Sequence, residues 1–364
     1  MPVATVPPVP HYTPAPPTAE TLEWADLEII DLSQASTPEG LAELALRVRD
    51  VMRSVGFMYV VNHGLTKAQT DRIFDIGNVL FTQVSEKERM DHAAKIQEEG
   101  SKIGYKPRQL WTIDNGVRDQ HEQYALHRSI CGQQKHPKAL EPFLPELRSF
   151  SEHNHYNVLF PVLRLLALGM ELPEETFVHL HEFHAVGDSH ARFIKYHPRT
   201  AEEEIKTNGV WLKGHTDQGT VTILYSQPVS ALQILSPEGK WRWVKHMDNA
   251  LVVNVGDAME MLSGGFYKGT IHRVVQPPAD QRGFTRLGAY YFALPDDDVK
   301  LVPFKESLAL QRVGIVRKCD DAIAPSMGEY RRARVMAYGL KATTKKGDAI
   351  EEQDINGIVL KHYN

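Results

Sequence analysis

The stretch from Ala191 to Leu294 constrains this chain most, because it breaks into short β-type runs divided by turn residues at close intervals. The clearest runs, 192–196, 220–225, 232–235, 250–255 and 287–293, are rich in β-branched and aromatic residues. Each such run half-buries itself and needs partners along its edges, so the spacing predicts an all-β barrel or sandwich.

Outside that stretch the pattern is mostly helical. Residues 27–32 predict one short strand, and 40–54 set Leu41, Leu44, Ala45, Val48 and Val51 on one helical face. A β-rich run at 57–61 is closed by Asn62-His63-Gly64, where Asn62 and His63 read as turn formers. A second helix is predicted over 67–84, and one long helix over 145–170 that buries Phe150, Tyr156, Phe160, Leu163 and Leu166. The stretch 97–134 is polar and irregular, with a turn at Gly104-Tyr105-Lys106-Pro107. Residues 320–340 turn helical again, and the basic run 329–334 reads as a solvated face. No internal repeat is present. The expected organisation is a disordered Pro-rich tail (1–20), an N-terminal helical and strand region packing on the core (21–185), the β core (186–310) and a C-terminal helical segment (311–364).

Composition excludes several functions. With 42% hydrophobic and 24% charged residues over 364 positions, the chain reads as an ordinary soluble globular protein. A net charge of −5 gives no electrostatic case for nucleic acid or an anionic membrane. The two cysteines, Cys131 and Cys319, are too few for a disulfide scaffold and read as inert thiols of a reducing compartment. No apolar run approaches the roughly 20 residues that span a bilayer. The N-terminus lacks the basic start and apolar stretch of a signal peptide, which makes the cytosol the expected compartment. Seven of its first 17 residues are proline, so an extended tail is predicted there.

One motif carries chemistry. His215-Thr216-Asp217 precedes the run at 220–225, and on a strand residues i and i+2 project from the same face. An imidazole and a carboxylate so placed supply two adjacent metal ligands. A second histidine from a neighbouring strand would complete a face of three and leave half of an octahedral iron site open. Among 17 histidines accidental matches are certain. His246-Met247-Asp248 reads as a turn, and His181 and His184 are three apart rather than the four of a zinc-protease helix. The sequence context separates His215 from these: His272 lies in Gly269-Thr270-Ile271-His272-Arg273-Val274-Val275, and Arg286 opens the run through Phe292.

These segments resemble the isopenicillin-N-synthase-like family of iron(II)/2-oxoglutarate-dependent dioxygenases. The resemblance covers nearly the whole chain after the tail. It rests on Ile29-Ile30-Asp31-Leu32, Gly56 to Gly64, Gly214-His215-Thr216-Asp217, Leu232-Gln233-Ile234-Leu235, Gly239-Lys240-Trp241, Val253-Asn254-Val255-Gly256-Asp257 and Tyr267 to Val274. It implies a mixed α and β fold with a double-stranded β-helix (jelly roll) core flanked by helices. It also implies iron(II) held by His215, Asp217 and His272, and 2-oxoglutarate whose far carboxylate is gripped by the planar fork of Arg286. The products implied are succinate, carbon dioxide and a hydroxylated, desaturated or rearranged small organic metabolite, with O2 consumed and ascorbate as a candidate reductant. Gly288 stands where the family usually has a serine that also binds the cosubstrate carboxylate. His197 stands where many members have tyrosine, and a histidine can make the same hydrogen bond. Tyr105, Arg108 and Phe292 are candidate substrate contacts, and a monomer or weak dimer is the expected assembly. The alternatives are a same-fold iron oxidase that does not use 2-oxoglutarate, and a non-catalytic jelly-roll binding module.

Overall fold

The computed structural model describes residues 6–130, 132, 134–337, 344–345, 350–355 and 358–363. Its early strands are β1 (Ile29–Asp31), β2 (Phe57–Val61), β3 (Gly104–Lys106), β4 (Thr112–Asp114), β5 (Val117–Arg118) and β6 (His121–His127). The core strands follow as β7 (His190–Tyr196), β8 (Val210–His215), β9 (Val221–Tyr225), β10 (Leu232–Leu235), β11 (Trp241–Trp243), β12 (Leu251–Val255), β13 (His272–Val275) and β14 (Arg286–Ala293). Three more close the chain: β15 (Thr344–Lys345), β16 (Ile350–Ile355) and β17 (Ile358–Tyr363).

Two sheets form the jelly roll, in the orders β1-β2-β12-β9-β14-β7-β6-β3 and β11-β10-β13-β8-β17-β16-β15. The period-2 alternation of a strand decides which core each residue joins. Leu224, Val252 and Tyr290 of the larger sheet point inward to meet Trp211, Ile234 and Val274 of the smaller one. Their neighbours Ile223, Tyr225, Leu251, Val253, Ala289 and Tyr291 point outward into a second core beneath the helices.

Helix Pro38–Ser54 starts on Thr37, whose hydroxyl accepts from Gly40 N, with proline in the first turn, and it buries Leu44, Ala45, Val48, Val51 and Met52 in that second core. Helix Lys67–Thr82 opens on a capping box between Thr66 and Gln69. The predicted long helix forms as Leu144–His153 and Phe160–Gly169, joined by a π-helical turn at Asn154–Leu159. Pro161, which has no N–H to give the ladder, follows that widened turn. The extra residue rotates the register, so Tyr156, predicted to be buried, is 41% exposed.

Four expectations need correction. First, the polar stretch 97–134 is not irregular: it contributes β3 to β6, and β6 pairs with β7 along its full length. Its polar residues hid the strand because they are satisfied inside, as where Tyr105 and His197 both bond Glu122. Second, residues 6–20 of the expected disordered tail lie along the surface without regular structure but with fixed partners. Arg72 donates to Pro7 O, Asp75 accepts from Tyr12 N, Gln281 donates to Pro16 O, and Ala15 is buried. Prolines lower the entropy this strap loses on ordering, and side chains of the folded body satisfy its backbone. Third, the C-terminal segment is only partly helical. Leu308–Val313 and Met327–Ala337 are helices, but β16 and β17 form a hairpin and Tyr363 pairs with Gly214 of β8. Between those strands the sequence is Asn356-Gly357, a dipeptide that favours tight hairpins. Fourth, the basic run is solvated only in part: Glu329 and Arg332 are exposed, but Arg331 and Arg334, one helical turn apart, are buried with Tyr330. The expected helix residues 338–340 and Cys131 lie outside the described residues.

Tyr12 stacks on Phe74 with ring centroids 6.3 Å apart. Tyr12→Ala is therefore expected to lower the urea midpoint, by about 1–3 kcal/mol of stability. An unchanged midpoint would show that the strap adds nothing to the fold.

Candidate metal centre and its pocket

Strands β8 and β13 pair so that His215 faces His272 directly, with ring centroids 4.5 Å apart. Asp217 sits two residues past His215, in the turn beyond the end of β8 and not on the strand itself. Backbone bonds pin that turn: Asp257 N donates to Asp217 O at 2.7 Å, and Thr220 N donates to Ala293 O at 2.9 Å. The close approach requires glycine. A Cβ on Gly219 would lie 2.2 Å from Ala293 O, and one on Gly256 2.6 Å from Asp217 O.

Hydrogen bonds aim the three side chains at one point. Lys213 O holds His215 Nδ1 at 2.8 Å and Thr270 O holds His272 Nδ1 at 3.1 Å, which leaves both Nε2 lone pairs free to coordinate. Asp217 Oδ2 accepts from Thr222 Oγ1 at 2.7 Å and from Asn254 Nδ2 at 3.0 Å, so its Oδ1 is the oxygen that faces the imidazoles. Oδ1 lies 3.9 Å from His215 Nε2 and 3.7 Å from His272 Nε2. These gaps are too long for hydrogen bonds, yet each is less than two metal–ligand bonds of about 2.1 Å laid end to end. Among the described residues, these three alone form such a donor group.

The electrostatics match a cation site. Burial first, then the His272 charge, pushes the His215 pKa down to about 3, which keeps the imidazole a neutral donor. Burial alone would raise the Asp217 pKa, but His272, His215, Asn254 and Thr222 outweigh it and hold the carboxyl at about 2. Two nitrogens and one carboxylate on one side of an open cavity fit a hard-to-borderline divalent ion that keeps free positions for small ligands.

Arg286, 2% exposed, lines the same cavity from β14. Its Nη1 donates to the Tyr290 hydroxyl at 3.1 Å, its Nε has no partner, and its guanidinium lies 5.6 Å from the Tyr196 ring centre. Among the described residues no carboxylate pairs with it, so the guanidinium is a buried cation that a carboxylate-bearing ligand would satisfy.

The other residues anticipated from sequence divide. Phe292 lines the cavity. Gly288 does not line the cavity but makes room for a residue that does: a Cβ there would strike the Tyr290 ring at 2.6 Å, and glycine lets Tyr290 lie back over it and reach Arg286. His197 is a correction. Strand alternation turns Tyr196 into the cavity and sends His197 away to bond Glu122 at 2.8 Å. Tyr105 is also a correction, since its hydroxyl is spent on the same Glu122 at 2.7 Å, and Arg108 is exposed outside the cavity. Sequence reasoning missed His190, Arg192 and Tyr290, although the i, i+2 rule applied to β7 and β14 places them on the inward face. Arg334 also lines the cavity and donates to Thr216 O at 2.8 Å. The decoys stay apart, with His181 bonded to Thr220 and Phe177 O, and His246 to Ser226.

Comparison with known proteins agrees with this architecture. The family model of the 2OG-Fe(II) oxygenase superfamily matches residues 188–295, and that of the non-haem dioxygenase in morphine synthesis N-terminal region matches residues 27–145. The chain is 27% identical to the 2-oxoglutarate-Fe(II) type oxidoreductase hxnY of Emericella nidulans, over 76% of this chain and 82% of that one. It is also 27% identical to leucoanthocyanidin dioxygenase 2 of Oryza sativa subsp. japonica, over 80% of this chain and 77% of that one. Its fold matches the crystal structure of the dioxygenase for auxin oxidation in rice, with a TM-score of 0.65, 21% identity, and coverage of 86% of this chain and 98% of that one. Both halves of the chain thus agree with the donor set at its centre, and the protein belongs to the iron(II)- and 2-oxoglutarate-dependent dioxygenase family.

Proposed function

We propose that His215, Asp217 and His272 hold the iron, and that Arg286, with the Tyr290 hydroxyl beside it, anchors the far carboxylate of 2-oxoglutarate. The reaction is the oxidation of a small organic metabolite, in which 2-oxoglutarate, O2 and a C–H bond give succinate, carbon dioxide and, in the simplest case, an alcohol. When bound, iron with 2-oxoglutarate supplies the oxidising power; the chain supplies aim and exclusion of water. The observation that carries the cosubstrate assignment is the buried Arg286 fork with an unpartnered Nε and no carboxylate partner among the described residues.

Tyr290 takes the place of the serine that Gly288 lacks, because its hydroxyl already sits on the guanidinium. Thr222 and Asn254 fix which oxygen of Asp217 faces the metal. Phe292, His190 and Arg192 form the wall nearest Asp217, since Phe292 pairs with Thr222 across the β9–β14 ladder. The substrate therefore belongs on that wall, apart from the Arg286 end. No helix among the described residues is long and apolar enough to cross a membrane. The half-buried free thiol of Cys319 fits a reducing compartment, and our reading is a cytosolic enzyme acting as a monomer or weak dimer, with no role for nucleic acid.

The test is a metabolite screen that reads release of labelled carbon dioxide from 2-oxoglutarate. The expected result is a substrate that stimulates release, with succinate formed one-for-one with product. Product without succinate would transfer the chain to the oxidase reading.

A further inference from the structure

The charge of Arg192, in the wall beside Phe292 and His190, has no part in the scheme above. Arg192 lies on β7 directly across from Tyr290 and is 7% exposed. Its Nη2 donates to His190 Nε2, and its Nε has no partner. His190 cannot balance the charge. Its Nδ1 is held by Asp188 O at 2.6 Å, which puts the ring hydrogen there and leaves Nε2 as acceptor of a neutral imidazole. Burial and the Arg192 charge keep the His190 pKa well below its ordinary value. Among the described residues no carboxylate lies within ion-pair distance of Arg192. The fields of Asp217 and Asp188 reach it, but neither carboxylate pairs with it: Asp217 is committed to Thr222, Asn254 and the imidazoles, and Asp188 accepts from Ser101 and lies 4.0 Å from Arg331. Burial lowers the Arg192 pKa only to about 10, so the group stays charged at neutral pH.

A buried guanidinium without a paired carboxylate is costly to the fold unless something completes it. The loaded centre does not. Iron and Arg286 together carry as much positive charge as Asp217 and 2-oxoglutarate carry negative, which leaves Arg192 over. Neighbouring groups point the same way. The Nε2 of Gln123, on β6, is a buried donor without a partner that lines this cavity. Lys102 lines it too, and burial with the charges of Arg192 and Arg334 brings its pKa down to about 7. The Arg192 guanidinium lies 4.2 Å from the centre of the Phe292 ring, and the apolar side chains of Phe57, Leu212 and Val252 line other parts of the same cavity.

Resting on the oxygenase reading of this pocket, we propose that the organic substrate is a small carboxylic acid with an apolar body. Arg192, assisted by Gln123, binds its carboxylate and so sets which carbon faces the metal. The site differs from the cosubstrate anchor in its partners: Arg286 bonds the Tyr290 hydroxyl, whereas Arg192 bonds His190 and lies over Phe292.

The test uses anaerobic iron-loaded protein with 2-oxoglutarate. Binding of benzoate, phenylacetate and hexanoate is compared by calorimetry with binding of their primary amides, in wild type, Arg192→Gln and Arg192→Lys. At least one acid is expected to bind more than about tenfold tighter than its amide. Arg192→Gln should erase that preference and Arg192→Lys restore part of it, with iron content and the 2-oxoglutarate requirement unchanged. Amides binding as well as acids, or no acid binding at millimolar concentration, overturns the proposal. So does an Arg192→Gln variant whose defect is a raised 2-oxoglutarate requirement. Failure of the oxygenase reading shows separately, as protein that retains neither iron nor 2-oxoglutarate while the acid–amide comparison can still be scored.

Discussion

Asp217→Ala is expected to leave anaerobic reconstitution with almost no iron and to show no measurable substrate-stimulated release of carbon dioxide. The carboxylate is the one anionic donor of the three, and the two imidazoles it leaves behind offer a divalent ion no charge neutralisation. Its partners grade the effect. Asn254→Ala removes one of the two bonds that turn Oδ2 away from the metal, and should weaken iron binding by roughly 10–100-fold, the usual cost of losing an outer partner of a metal ligand. Loss of the ligand itself must exceed that range. Iron content by atomic absorption, with folding checked by circular dichroism, decides the matter. A folded Asp217→Ala protein that keeps one iron per chain would refute the ligand assignment.

Arg286→Met is expected to need on the order of 100-fold more 2-oxoglutarate for half-maximal turnover, because a desolvated carboxylate would lose its charge-assisted pair. Iron content should be unchanged, since Arg286 does not touch the three donors. The cofactor-free protein should melt no lower than wild type: methionine has similar length, and the charge it replaces has no carboxylate partner among the described residues. A structural salt bridge would behave in the opposite way, with stability lost and the cosubstrate requirement untouched. Titrating 2-oxoglutarate against succinate yield, beside a melting curve, separates the two.

Much of the site was legible before any fold was known. His215, Asp217 and His272 stand out because two are neighbours in sequence and the third carries a recognisable β context, and the structure brings all three together. Phe292, taken as a candidate substrate contact with the resemblance, also lines the cavity. Tyr105, Arg108 and His197 were misplaced because nothing local says which side of a strand or loop meets the cavity. His197 and Tyr196 are adjacent, so a step of one residue along the strand reverses the answer. Arg192 went unread for a different reason. A single arginine inside an apolar run has no meaning until its lack of a countercharge can be seen.

Strand and helix periods, the turn residues and the metal motif are local properties, and the amino-acid sequence by itself determined them: a β core between helical flanks, with three donors for one ion. The tertiary structure alone decided the rest. It tied the proline strap down, added the C-terminal hairpin to the smaller sheet, buried Arg331 and Arg334, and laid Tyr290 over Gly288 onto Arg286. Each of these depends on contacts between segments far apart in the chain, where burial and unpaired charge set the energy and no short window of sequence records the partner.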